Sequence, residues 1–156
     1  MMSQTVIAFV NDWRLGHIAT TGPEGPNVSP KGTFQALDAA RLAFAEIRSP
    51  QTRSNLAHDP RVEVNMVDVF ARKGARFRGA AAYHGPGTAA FAELEPQWRA
   101  LFGDALAAMF QGFVVIELAS VKPLSTPLYD LGESERRLRE IYLERFTAMQ
   151  KDILES

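Results

Sequence analysis

The 156-residue chain has no cysteine, which excludes disulfides, thiolate metal sites and a cysteine nucleophile. It has no apolar run approaching the length of a membrane span. Near its start, Asn11, Asp12 and Arg14 interrupt any candidate signal peptide. A soluble, cytoplasmic protein is the expectation. The net charge of −1 provides no global field for nucleic acid. Histidine is scarce: His17, His58 and His84 match no compact metal-ligand spacing. A Gly-x-Ser-x-Gly elbow, a Walker lysine loop and a Gly-x-Gly-x-x-Gly fingerprint are also missing. The sequence thus offers no support for a serine hydrolase, a P-loop nucleotidase or a classical dinucleotide fold.

What is present is an ordinary globular composition, 46% hydrophobic and 22% charged, at a length that suits one domain with a real core. Charge is unevenly distributed. Residues 41–80 hold eight Lys/Arg against four Asp/Glu, whereas residues 81–156 hold seven against eleven. A basic zone inside a neutral protein suits a small anionic ligand better than a polyanion.

Hydropathy patterning predicts a helix behind Ser3, with Val6, Ile7, Phe9, Val10 and Trp13 on one face. Leu15 to Thr21 and Asn27 to Phe34 flank Gly22-Pro23-Glu24-Gly25-Pro26 and read as a hairpin. Pro30 cannot donate to a ladder, so the second arm is expected at an edge or bulged. Arg41 to Ile47, Arg61 to Val69, Ala75 to His84 and Phe113 to Val121 supply four more strands, the last apolar enough for burial on both faces. Two short helices, broken near Glu95-Pro96 and at Gly103, fill Gly87 to Gln111. A final helix starts at a capping box of Asp130 and Glu133. Six short strands with peripheral helices predict a mainly β fold, a small barrel. It forms one domain over 1–156, with helical additions at 1–14 and 130–156.

The chemistry concentrates in Arg41 to Met66. After an apolar strand comes a polar turn holding Ser49, Gln51, Thr52, Arg53 and Ser54 at a helix start. Backbone N–H groups, hydroxyls and a guanidinium in one place are what a phosphate monoester needs. The segment Pro26-Asn-Val-Ser-Pro-Lys-Gly-Thr-Phe34 is expected alongside as an interrupted edge, where Gly32 permits close approach to the backbone. Such an edge suits a flat heterocycle. Trp98, Phe102, Met109 and Phe110 read as core at helical spacing, while Tyr129, in a proline-bracketed loop, is the substrate-pocket candidate.

PNVSPKGTF, RLAFAEIRSPQTRSNLAHDPRVEVNM and ARFRGAAAYHG, in that order, resemble the FMN-binding split barrels related to pyridoxamine 5′-phosphate oxidase. The resemblance runs from about Leu15 to Lys122. It implies a six-stranded split β-barrel, homodimeric, with FMN at the subunit interface. Gln51, Thr52 and Arg53 would hold the phosphate, and Ser29, Pro30, Lys31, Gly32 and Thr33 would face the isoalloxazine edge. Glu46 would lie near the ribityl chain, and Arg76 and Arg78 would come from the partner subunit. The chain departs from the oxidase at Pro50-Gln51-Thr52, where the oxidase has a basic pair, and lacks its C-terminal substrate segment. The expected function is an FMN-dependent oxidoreductase acting on a small substrate or a nicotinamide donor, with neither nucleic acid nor membrane as partner. Lys31, from its position, would stabilise negative charge on reduced flavin. The alternatives are a non-catalytic flavin-binding protein, or a haem- or deazaflavin-binding protein.

Overall fold

The computed structural model describes residues 1–155. Ser156, the end of the expected C-terminal addition, lies outside the described residues. The elements are α1 (Gln4–Trp13), β1 (Gly16–Gly22), β2 (Gly25–Lys31), β3 (Gln35–Ala36), β4 (Arg41–Glu46), α2 (Pro50–His58), β5 (Arg61–Asp68), β6 (Lys73–His84), α3 (Ala89–Phe102), α4 (Asp104–Ala107), β7 (Gly112–Ser125) and α5 (Glu135–Leu154). A 3-10 turn, Pro127–Tyr129, precedes α5. The strands form one antiparallel sheet in the order β2-β1-β5-β6-β7-β4-β3. It has seven strands rather than six and does not close, because β2 and β3 are free edges. The extra strand is β3, whose two residues are too short to show a pattern of their own. No helix among the described residues is long and apolar enough to cross a membrane.

The turn chemistry sets the hairpin as expected. Pro23 and Glu24 link β1 to β2, and Gly25 takes φ +105°, which a side chain would resist. Pro30 lies opposite His17 on β2, an edge strand, where its missing N–H costs no ladder bond. A Cβ on Gly22 would fall 2.1 Å from Asn55 Oδ1, so glycine here lets α2 lie against the end of the hairpin.

Two clusters make the core. Ile18, Phe34, Phe44, Val64, Phe77 and Ile116 pack together on one side of the sheet. Ala43, Ala45, Leu94, Trp98, Phe110 and Phe113 pack α3 and α4 onto the opposite face of β4 and β7. β4 is therefore buried on both faces from Leu42 to Glu46. Only the first residues of β7 are buried in this way, and its second half emerges to solvent. Pro96 does not break the helix: α3 runs through it to Phe102. The proline costs roughly 3 kcal/mol, while burying Leu94 and Trp98 on one face returns about 1.5–3 kcal/mol or more for each. Burial wins.

The last helix is capped by Ser134, which accepts from Arg137 N at 3.2 Å, not by Asp130. Among its described residues only Leu138 is deeply buried. It is held by the turn between β5 and β6: Arg139 donates to Asp68 at 2.7 Å, Lys73 pairs with Glu135 at 2.8 Å, and Phe146 meets Phe70 edge-on at 5.7 Å.

One buried bond ties the second core to the β2–β3 segment. Trp98 Nε1 donates to the Thr33 carbonyl at 2.8 Å, and Thr33 Oγ1 accepts from Ala45 N at 3.0 Å. Trp98→Phe keeps a ring there but orphans the carbonyl. It is expected to cost about 1–3 kcal/mol in urea denaturation, and a loss within error would show that this bond does not hold the segment.

Candidate cofactor site

The site is built where β4 ends and α2 begins. Pro50 occupies the first helical position, where an N–H would have no partner anyway. Ser49 is the N-cap, but its side chain makes no cap bond. Its N–H instead donates to Glu46 Oε1 at 2.6 Å, and its hydroxyl donates to Glu46 Oε2 in a very short contact. Lys31 reaches across from β2. Its ammonium donates to Ser49 Oγ at 2.6 Å and to Ser29 Oγ at 2.8 Å, and stands 4.0 Å from Glu46. The Glu46 and Lys31 side chains are only 1% and 9% exposed. Burial pushes the Lys31 pKa below its ordinary value, while the Glu46 charge opposes the shift. The end of the edge strand β2 and the basic turn are thus neighbours, as the sequence led one to expect.

In the first turn of α2 the three predicted residues diverge. Gln51 donates its side-chain amide to Asn55 at 2.8 Å, and Asn55 donates to Thr20 at 3.0 Å, which docks the helix on β1. Thr52 is fully buried, and its hydroxyl has no hydrogen-bond partner. A buried hydroxyl without a partner costs roughly 1–3 kcal/mol, so Thr52 offers a bond that the described chain leaves unmade. Arg53 lies outside, its guanidinium 4.5 Å from the Tyr83 ring. Together with Pro50, Ser54, Ala57 and Ala82 these two line a cleft of about 660 Å³ between α2 and the end of β6, within the range of small-molecule sites. Tyr83 escaped the sequence reading. Its role depends on how α2 docks, and no local pattern encodes that. Its hydroxyl donates to the Gln111 carbonyl at 2.6 Å, fixing the ring under Arg53.

The remaining predicted residues fall into two groups. Lys31 reaches the turn from β2 and holds Ser29, whereas Pro30 lies on the opposite, exposed face of the strand; a Cβ on Gly32, just past the strand, would meet nothing within 4 Å. Space over that backbone is open. Thr33 turns inward, its hydroxyl committed to Ala45. Arg76 and Arg78 project from β6 and both pair with Glu63, at 3.0 Å. They lie five to seven residues along the strand from Tyr83, roughly 17–23 Å, so within one chain they do not join the α2 turn. Tyr129 is farther still. Its hydroxyl donates to the Ala71 carbonyl at 2.6 Å and Lys73 lies over its ring, so it secures the β5–β6 turn. No cluster of three or more metal-ligating side chains occurs among the described residues.

A helix start without a cap bond, a buried unpaired hydroxyl and an adjacent guanidinium suit a phosphate monoester. The residues fit FMN in this respect: the orphaned Thr52 hydroxyl is a donor with no internal use. Fold and turn define a split-barrel protein with an uncapped helix start beside the edge strand.

The chain belongs to the pyridoxamine 5′-phosphate oxidase family, whose model matches residues 2–122. Among solved structures, HupZ of Group A Streptococcus superposes with a TM-score of 0.69 at 23% identity, covering 81% of this chain and 96% of that one. An FMN-binding protein of Syntrophomonas wolfei gives 0.62 at 10% identity, covering 77% and 82%. HutZ of Vibrio cholerae, a haem storage protein, gives 0.60 at 20% identity, covering 78% and 94%. No curated protein matches the chain significantly. Identities this low establish the shared fold alone.

Replacing the orphaned hydroxyl tests the geometry directly. Thr52→Val is expected to leave the ligand-free protein as stable as before, or slightly more so, by denaturant titration, since an unpaired buried hydroxyl becomes a methyl of the same shape. A loss above about 1 kcal/mol would reveal a partner within the chain.

Proposed function

We propose that the protein binds FMN and acts as an oxidoreductase on a small organic substrate. The observation that carries this reading is the Thr52 hydroxyl, buried and unpaired in the uncapped first turn of α2. Thr52, the first-turn amides and Arg53 would hold the phosphate. The edge from Ser29 to Gly32, with its open backbone, would border the ring system. When bound, the flavin supplies the transfer of a hydride or electron pair, and the chain's part is to bind and orient it and to tune its charge. Lys31 is the tuning group: buried, cationic and paired with Glu46 beneath the turn. The working form is a homodimer, with Arg76 and Arg78 of a second copy completing the charge around the cofactor.

The test is a titration of the ligand-free protein with FMN and with riboflavin. Two charge-assisted contacts at about 1.5–3 kcal/mol each predict that FMN is preferred by about two orders of magnitude or more. Equal affinity for the two would refute phosphate recognition. A purified protein that carries an intense Soret band and takes up no flavin would make it a haem carrier instead.

A further inference from the structure

Among the described residues, four other helical starts are led by a hydroxyl residue, and in each the hydroxyl accepts a backbone N–H. Ser3 accepts from Val6, Thr88 from Phe91, Thr126 from Leu128 and Ser134 from Arg137. Ser49 heads α2 in the same position and does not. The reason lies three residues upstream. The Glu46 carboxylate takes both the N–H and the hydroxyl of Ser49, and Lys31 donates to the same oxygen from the other side. Bonds to an ionised group are roughly twice as strong as neutral ones, so the buried carboxylate outcompetes a backbone amide for the serine. By the spacing seen at Ser3, Thr88 and Ser134, the amide that loses its cap is that of Thr52. Thr52 is also the residue whose hydroxyl is buried without a partner. One residue is thereby left with two uncommitted polar groups.

We infer that Glu46 is a positioning residue that withholds Ser49 from capping α2 and so keeps the Thr52 amide free for the ligand's phosphate. This rests on the phosphate reading given above. The arrangement inverts the usual capping box, in which an acidic residue inside the helix reaches back to the N-cap N–H. Here the acid stands outside the helix, on β4, and draws the N-cap residue away from it. Without the carboxylate the serine is free to swing onto the Thr52 amide, and the helix would cap itself where the anion should sit.

The experiment uses the ligand-free protein and three variants: Glu46→Gln, Ser49→Ala and the double variant. The Gln side chain keeps the volume of Glu46 and removes its charge. Two quantities are read: the ratio of FMN to riboflavin affinity, and the exchange rate of the Thr52 amide by NMR. Glu46→Gln is expected to slow Thr52 exchange and to lower the FMN preference about five- to ten-fold, the worth of one cap bond. Added to Ser49→Ala, the same change should have no further effect on either quantity, since no hydroxyl remains to cap. An equal effect of Glu46→Gln in both backgrounds, or none in either, would overturn the inference. Wild-type protein that does not distinguish FMN from riboflavin would instead refute the phosphate reading, and Thr52 exchange would then decide the role of Glu46 by itself.

Discussion

The buried contact among Glu46, Ser49 and Lys31 is the constraint on which the site depends. It ties the edge strand β2 to the last residue of β4 and the start of α2, a junction that the sheet order leaves unpaired with β2. Removing two charges from water is costly, and the cost is recovered only where hydrogen bonds satisfy both partners. Here the carboxylate receives two bonds from Ser49 and the ammonium makes two to serine hydroxyls. The pair therefore fixes the geometry of the turn more than it stabilises the fold. The α2 start remains uncapped, and Thr52 is left with bonding capacity that the chain does not use.

Much of this was legible in the sequence, and the remainder had definite reasons not to be. The hairpin, the edge position of Pro30, the Ser3 cap and the adjacency of the PNVSPKGTF segment to the turn all follow from local chemistry and strand order. Pro96 misled because a local breaker was overridden by the burial of Leu94 and Trp98, a tertiary gain that no propensity carries. The two-residue β3 is defined only by its pairing with β4. Within the site, the turn was identified by residue type, but the orientation of each side chain was not. That Gln51 docks α2 through Asn55, that Arg53 stacks on Tyr83 and that Ser49 is held by Glu46 are consequences of how α2 lies against β1 and β6.

The chain also carries a part that the family match does not reach, beyond residue 122. The 3-10 turn and α5 grip the β5–β6 turn through Tyr129, Glu135, Arg139 and Phe146. Asp68, nearly buried, accepts from the Phe70 and Ala71 amides as well as from Arg139, so the turn is organised from both sides. Tyr129 belongs to this fastening. It stands at the opposite end of β6 from the Arg53–Tyr83 cleft, which separates this C-terminal segment from the candidate site within a single copy.

The most direct measurement is a crystal structure of the protein with FMN. The phosphate is expected within hydrogen-bonding distance of both the Thr52 amide and the Thr52 hydroxyl, with Ser49 still bound to Glu46. A phosphate held elsewhere, or a Ser49 hydroxyl swung onto the Thr52 amide while flavin is bound, would contradict it.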